Sequence, residues 1–365
     1  GYAQRTGHRI PVLTYEWCGT RLPCLDPRDP AAQRFVGSLV ESYRELFGVR
    51  PIYWLCLPSE GGWASEDADQ MDRVTYAMLD DLVRAVRAVD PAATIWAAAP
   101  FEYARTFAAQ RRAVQDAGLP VGPDFWRNVP GRYHSFLQND YYWGLPWLSG
   151  MVSHCGTHTN PWGDMGTAIA NAQELGANPR AAACRGFAIG NEMCHRNIMM
   201  MDLFAALAWD PAKVELDGFL RRYAERRYGP RAAGPHFEAT RAVGRTLLSH
   251  YNMDATNGPL YRRWMPTYLP GLTPASVRRS LGWLPHLRRA CEGLLEGAGA
   301  TPDCALLRFD LVDLGRTYLG TLFNYHFARA RLAFRAGDRQ DLARHRERCL
   351  ATMRSVAALC SAHPQ

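Results

Sequence analysis

Two glutamates follow short apolar runs, at positions where carboxyl groups could perform acid/base chemistry. Residues 52–57 lead to Glu60, and residues 186–189 lead to Glu192. In barrels of parallel strands, catalytic groups come from the carboxyl ends of the strands. Cleaving a glycosidic bond needs one carboxyl group to protonate the leaving oxygen and a second at the oxocarbenium-like centre. The pattern therefore predicts a glycoside hydrolase that uses Glu60 and Glu192.

Aromatic residues near predicted strand ends support a carbohydrate pocket. Tyr141, Tyr142, Trp143 and Trp147 lie close together in the chain, and Trp162 follows. Sugar rings stack their C–H faces on aromatic rings, so such crowding suits a sugar site. Packing in the core is the competing interpretation for each ring, and a single strand-end glutamate can equally belong to a structural ion pair.

The elements that must position these groups follow from hydrophobic periodicity. The first half alternates apolar runs with amphipathic stretches, which is typical of a βα pattern and a parallel sheet or barrel. Strands are predicted at 11–15, 52–57, 94–99, 133–138, 147–153 and 186–189. Helices are predicted from Asp29-Pro30 to about Phe47 and over 67–89, where an apolar stripe includes Met71, Val74 and Val83.

Only helices are predicted in the second half of the chain. Predicted helices cover 214–227, 234–250, 274–296, 305–336 and 338–360, with a Pro- and Gly-containing loop over 254–271. We therefore predict two domains: a catalytic α/β part over residues 1–210 and an all-helical part over residues 211–365.

Composition excludes several classes of protein. The 365 residues are 47% hydrophobic and 21% charged, which is ordinary for a globular protein. The net charge of +7 is almost all arginine, with Lys213 as the one lysine, and acids are interleaved with it. No nucleic-acid partner is predicted, because basic residues do not cluster on one element. No membrane span is predicted either, since the most apolar stretch, 198–209, is shorter than the ~20 residues needed.

A metal-dependent hydrolase is a further hypothesis for this sequence. His154, His158 and His195 could be ligands, but structural or catalytic zinc needs three or four converging groups. The His154/His158 pair lies in a Gly-, Asn- and Pro-containing loop, so the helical spacing that brings i and i+4 ligands together does not apply. The ten cysteines include no CxxC pair, which argues against a zinc ribbon. Their spacing does not indicate the cellular compartment of the protein. We therefore expect no metal at these histidines.

Taken in order, the motifs resemble the alpha-N-acetylglucosaminidases, glycoside hydrolase family 89. The resemblance covers nearly the whole chain and includes the strand that ends at Glu60 and the segment 186–209 that contains Glu192. Three further signatures are Leu25-Asp26-Pro27-Arg28-Asp29-Pro30, Arg226-Arg227-Tyr228-Gly229 and Phe309-Asp310-Leu311-Val312-Asp313-Leu314.

This resemblance implies a (β/α)8-type barrel, with its N-terminal strands missing, followed by a helical C-terminal domain. It implies retaining cleavage of terminal alpha-linked N-acetylglucosamine, with Glu192 as nucleophile and Glu60 as general acid/base. A retaining pair should lie about 5–5.5 Å apart, and Glu60 needs a raised pKa that a wall of Trp54 and Trp63 could supply. The substrate-binding residues that it implies are Phe101, Trp147, His154 and Asn197. The resemblance implies no metal and no organic cofactor.

Some positions depart from the family's pattern. Ser59 stands where the family usually has asparagine before the acid/base, and Phe101 stands where it usually has tryptophan. The early barrel strands, which carry sugar contacts in the family, and the end of the helical domain are expected to be absent. These departures favour the runner-up hypothesis, a catalytically inactive carbohydrate-binding relative with the same fold.

Overall fold

The chain forms two compact units in a computed structural model. The structure describes residues 7–17, 20–55, 61–64, 67–98, 107–124, 135–153, 163–191, 198–230, 234–244, 249–250, 274–299 and 301–362. Unit 1 comprises Gly1–Trp126, Tyr133–Met151 and Asn178–Ala188, and unit 2 comprises the remainder. The predicted domain boundary near residue 210 stays a prediction.

Short strands and longer helices alternate through the first half of the chain. The strands are β1 Val12–Trp17, β2 Thr20–Leu25, β3 Ile52–Leu55, β4 Gly61–Trp63, β5 Thr94–Ala97, β6 Val121–Asp124, β7 Trp147–Ser153, β8 Gly163–Asp164, β9 Cys184–Asn191 and β10 Ser249–His250. The helices are α1 Pro30–Phe47, α2 Ala68–Val89, α3 Phe107–Ala117, α4 Ser135–Gln138, α5 Met165–Ala177, α6 Ile198–Trp209, α7 Leu216–Tyr228, α8 Pro235–Ala242, α9 Pro274–Ala298, α10 Ala305–Ala336 and α11 Arg339–Ser361.

A five-stranded sheet in the order β3-β5-β6-β7-β9 organises the first half of the chain. The pairs β3–β5, β5–β6 and β6–β7 are parallel. A second sheet, in the order β2-β1-β4, is antiparallel. The predicted strands at 52–57, 94–99, 147–153 and 186–189 are confirmed in their described parts, and the pairing is the parallel one that the βα pattern indicates.

Two strand predictions need correction. The strand predicted at 11–15 exists, but it pairs antiparallel with β2 and β4 instead of joining the parallel sheet. The strand predicted at 133–138 is wrong over its described part, because residues 135–138 form the helix α4. In this helix Phe136 is buried against Trp147, with ring centroids 5.4 Å apart, while Leu137 is 48% exposed.

Capping explains where the first helix begins. Asp29 accepts a hydrogen bond of 2.8 Å from the backbone N–H of Ala31, and Pro30 occupies the first helical turn. Just before it, the buried Asp26 accepts two hydrogen bonds from the guanidinium of Arg28, at 2.9 and 2.7 Å. These bonds hold the pKa of Asp26 below its usual value. The Asp-Pro-Arg-Asp-Pro motif therefore determines where α1 begins.

The apolar stripe of α2 is buried as predicted. Met71, Val74, Leu79 and Val83 are each at most 5% exposed. The helix begins after Asp67, whose side chain accepts a bond from Gln70, and it ends at the Asp-Pro pair after Val89. Helix α1 behaves differently, because its buried residues are the small Ala31 and Ala32. Its large apolar side chains are exposed, namely Phe35, Leu39, Tyr43, Leu46 and Phe47.

Unit 2 is mainly helical in its described part. Helices α7, α9, α10 and α11 confirm four predicted helices to within a few residues, and Asp338 caps α11 as its position suggests. Helices α5 and α6 were not predicted. Residues Asp164 and Thr167 explain the start of α5: the carboxylate accepts bonds from the backbone N–H and the hydroxyl of Thr167, at 2.9 and 2.8 Å. No described helix is long and apolar enough to cross a membrane.

A buried ion pair joins α7 to α10. The guanidinium of Arg227 donates to both oxygens of Asp310, at 2.5 and 2.6 Å, and the hydroxyl of Tyr228 donates to the same carboxylate at 2.7 Å. Burial, together with the neighbouring carboxylate, raises the pKa of Tyr228 well above its usual value. The two C-terminal signatures in the sequence therefore meet in one hydrogen-bonded cluster.

We expect Asp310→Asn to destabilise the protein by about 3 kcal/mol, because it leaves the Arg227 charge without its partner in a largely buried place. The free energy of unfolding from urea titration measures the effect. A matched control is Asp202→Asn, since Asp202 pairs with Arg226 at 3.0 Å on the surface. That exposed pair should contribute less than about 1 kcal/mol. Equal effects of the two substitutions would contradict the structural role of Asp310.

A second buried contact joins α10 to α11. The Nδ1 atoms of His326 and His345 lie 3.0 Å apart, so one neutral ring donates and the other accepts. Burial, reinforced by the neighbouring His345, lowers the pKa of His326 to about 4. The unfolded chain should bind this proton near the ordinary histidine pKa of about 6.5.

Stability should therefore fall as the pH drops from about 6.5 towards 4, because only the unfolded chain binds the proton in that window. Thermal unfolding midpoints across this range test the expectation. The His326→Gln protein should show a shallower dependence than the unsubstituted protein. His286→Gln, which changes an exposed histidine of α9, should not alter the dependence. An unchanged slope in His326→Gln would contradict the expectation.

Candidate active site

The first candidate catalytic residue lies between two described strands. Strand β3 ends at Leu55, whose carbonyl accepts a hydrogen bond of 2.8 Å from Ala98 N–H. Strand β4 begins at Gly61 and pairs antiparallel with β1. Glu60 is thus the residue immediately before β4 and five residues after the end of β3. Its own side chain lies outside the described residues.

The second candidate follows directly on a strand. Strand β9 ends at Asn191, and Glu192 is the next residue in the chain. Helix α6 begins six residues after Glu192, at Ile198. Barrel enzymes draw catalytic groups from residues just beyond a strand of the barrel sheet and before the next helix, and Glu192 has that place in the chain. The side chain of Glu192 also lies outside the described residues.

Most other predicted site residues have no structural description. Phe101, His154 and Asn197 lie outside the described residues, and their roles in binding substrate stay predictions. The same holds for His158 and His195, the further ligands of the metal hypothesis. Among the residues that the structure does describe, no group of three or more His, Cys, Asp or Glu side chains could hold a metal ion.

Trp147 is the one predicted substrate contact that the structure describes. It is the first residue of β7 and has no exposed surface. Its ring packs on those of Phe136 and Tyr142, with centroids 5.4 and 5.3 Å away. The indole N–H is buried and has no hydrogen-bond partner in the described part of the chain. These contacts support packing directly, and a role in sugar binding stays a prediction.

The aromatic residues before Trp147 form an unusual turn. Residues 140–143 all have positive φ angles, from 48 to 57°, although none is glycine. Left-handed backbone costs such residues about 1–2 kcal/mol each. Burial of the Tyr141 ring, a 2.8 Å hydrogen bond from Asn178 to its hydroxyl and the Arg180 guanidinium above it offset part of this cost. The turn lies at the amino end of β7, opposite the end where catalytic groups are expected.

The two tryptophans expected to flank Glu60 differ in environment. Trp54, on β3, is 43% exposed, whereas Trp63, on β4, is 7% exposed. Trp63 donates its indole N–H to the hydroxyl of Thr75 at 3.0 Å. Sequence analysis did not single out Thr75, although it lies four residues after Met71 and beside Val74 on the buried stripe of α2. The proposed effect of Trp54 and Trp63 on the pKa of Glu60 stays a prediction.

Family models match almost the whole chain. The model of the alpha-N-acetylglucosaminidase (NAGLU) TIM-barrel domain matches residues 9–211, and that of the C-terminal domain matches residues 219–365. The expected order, an α/β barrel portion followed by a helical domain, is therefore confirmed. Comparison with curated protein sequences gives no significant match.

Solved structures with folds similar to this chain include the following three. One is a Clostridium perfringens protein with two Glu-to-Gln substitutions, in complex with its substrate GlcNAc-alpha-1,4-galactose; the TM-score is 0.69 at 15% identity, covering 94% of this chain and 38% of that one. A family 89 glycoside hydrolase from the same organism, in complex with PUGNAc, gives a TM-score of 0.71 at 14% identity, covering 96% and 39%. A family 115 4-O-methyl-alpha-glucuronidase gives 0.56 at 15%, covering 91% and 44%. The chain thus spans less than half the length of each.

Trp147→Phe tests whether Trp147 binds sugar as well as packing. We expect the free energy of unfolding to fall by about 1–2 kcal/mol, because the smaller ring leaves a cavity while the lost N–H has no partner among the described residues. Urea titration measures this change. A KM for a glycoside that rises at a temperature well below the unfolding midpoint would assign a sugar contact to Trp147, whereas an unchanged KM would remove it from the predicted site. Unchanged stability would contradict the packing described above.

Proposed function

The chain belongs to the alpha-N-acetylglucosaminidase family, and on that premise we propose that it hydrolyses terminal alpha-linked N-acetylglucosamine with retention of configuration. Glu192 is the proposed nucleophile and Glu60 the proposed general acid/base. The substrate class comes from the family, and the assignment of the two roles comes from matching positions in the two motifs.

The observation that supports this proposal is that each glutamate follows, in the chain, a strand of the same sheet. Glu192 is the next residue after β9, and Glu60 lies in the five-residue link that leaves β3. Both strands belong to the five-stranded sheet, whose β3, β5, β6 and β7 run parallel. The carboxyl ends of parallel strands lie at one edge of a sheet, which is where barrel enzymes carry their chemistry.

In the first step, the Glu192 carboxylate attacks the anomeric carbon while Glu60 donates its proton to the departing oxygen. A covalent glycosyl-enzyme forms, and the alcohol leaves. In the second step, the Glu60 carboxylate removes a proton from water, which attacks the anomeric carbon and releases Glu192. Two inversions give net retention. Glu60 must be protonated in the first step, so a low-dielectric environment that raises its pKa would favour the reaction.

A binding protein that has lost catalysis is the second candidate. Ser59, where the family usually has asparagine before the acid/base, is the observation that favours it. Such a relative would bind the sugar in calorimetry but release no product from any alpha-glycoside. Product formation by the unsubstituted chain would exclude this candidate.

Substitution of each glutamate tests the catalytic assignment. We expect Glu60→Gln and Glu192→Gln to lower the rate of aryl alpha-N-acetylglucosaminide hydrolysis by at least about a hundredfold each, the lower end of the contribution typical of a general acid. Glu174→Gln is the matched control, since Glu174 is exposed on α5. Undiminished turnover in either of the two active-site variants would reject its proposed role.

Azide separates the nucleophile from the acid/base. In Glu192→Ala, azide can attack from the vacated side in a single displacement, so the glycosyl azide should have inverted configuration. In Glu60→Ala, azide should intercept the glycosyl-enzyme, which gives retained configuration. NMR of the products distinguishes the two results. The opposite pairing would exchange the roles, and inverted product from both variants would contradict retention.

A further inference from the structure

The residue after Glu60 begins a strand that is held by a complete ladder. In β4, Gly61 pairs with Trp17, Gly62 with Glu16 and Trp63 with Tyr15. The backbone N–H of Ala64 then donates to the carbonyl of Thr14 at 2.8 Å. The backbone that leaves Glu60 therefore has no freedom to slide along β1 without breaking these bonds.

One side chain ties this strand to helix α2. The indole N–H of Trp63 donates to the hydroxyl of Thr75 at 3.0 Å, and Thr75 has no exposed surface. The Trp63 ring also meets Tyr15 edge-on, with centroids 5.3 Å apart and planes at 79°. Because a buried indole N–H without a partner is costly, the bond to Thr75 selects one orientation of the ring.

An apolar cluster surrounds that bond. Trp63, Met71 and Val74 are buried together. Partly buried residues of β1, β2 and α2 pack on them, namely Leu13, Tyr15, Cys24 and Met78. Interiors are packed as densely as organic crystals, so the ring cannot turn or shift unless several neighbours move with it. The β4 backbone is thereby held at two levels, by its ladder and by its one large side chain.

We propose that Trp63 and Thr75 are positioning residues that fix the general acid Glu60 through β4. The inference rests on the function proposed above. Neither residue needs to touch the sugar: Trp63 lies three residues beyond Glu60, and β4 begins with the residue next to Glu60. A displacement of about 1 Å at a catalytic group can lower the rate about a hundredfold. Greater mobility of β4 should therefore slow the proton-transfer step.

Thr75→Val removes the hydroxyl and keeps the shape of the side chain. We expect kcat for a methyl or nitrophenyl glycoside, whose departure needs a proton, to fall about tenfold to a hundredfold, with KM changed by less than about threefold. With a dinitrophenyl leaving group, glycosylation needs no proton donor, so its rate in single-turnover experiments should fall by less than about threefold. Thr75→Ser keeps the hydroxyl and should restore most of the loss.

Two further variants make the test decisive. Thr321→Val removes a buried threonine hydroxyl of α10, which donates to the Thr317 carbonyl at 2.8 Å, and should leave kcat for both leaving groups unchanged. Trp63→Phe removes the donor of the same hydrogen bond and should show the same dependence on the leaving group as Thr75→Val. This variant keeps the test valid if Thr75→Val folds poorly.

The results separate this inference from the proposed function. Losses in Thr75→Val that are equal for both leaving groups, or no larger than those in Thr321→Val, would overturn the positioning role. If Glu60→Gln is impaired but Thr75→Val and Trp63→Phe are not, the positioning role falls and the proposed function stands. Undiminished activity in Glu60→Gln would overturn both.

Discussion

The constraint on which the candidate site depends is the double anchoring of the link between β3 and β4. On one side, β3 is held in the parallel sheet through its register with β5. On the other side, β4 is held in the antiparallel sheet through its register with β1. The strands that precede and follow residues 56–60 in the chain are therefore each fixed by pairing with a neighbouring strand.

The helical half of the chain shows that a family signature can be structural. The Arg226-Arg227-Tyr228-Gly229 and Phe309–Leu314 motifs place Arg227, Tyr228 and Asp310 in one cluster that joins α7 to α10. Taking such charges out of water is expensive unless the hydrogen bonding is complete, and here the carboxylate accepts three bonds. The residue types of the two motifs are therefore explained by the hydrogen bonding of a largely buried charge.

Elements set by local rules could be predicted, and those set by distant pairing could not. Asp29-Pro30 and the stripe on α2 predicted two helices, since capping and 3.6-residue periodicity are local. The pairing of β1 with β4 was missed because β4 lies in a separate segment of the chain and has three residues, two of them glycine. The strand β2, which follows β1 after two residues, was missed although its pairing is local. For the site, the strands before Glu60 and Glu192 were predictable, but the bond from Trp63 to Thr75 needed the fold.

Two aromatic residues show why it matters at which end of a strand a residue lies. Trp63 and Trp147 are both buried, and each lies at one end of its strand. Trp63 ends the strand that begins directly after Glu60 in the chain, whereas Trp147 is the first residue of β7 and follows the left-handed turn at 140–143. In a parallel sheet the amino ends lie far from the chemistry and serve stability. Strain and buried rings at that end accordingly favour scaffold roles, and of the two tryptophans Trp63 is the one whose strand adjoins a predicted catalytic residue in the chain.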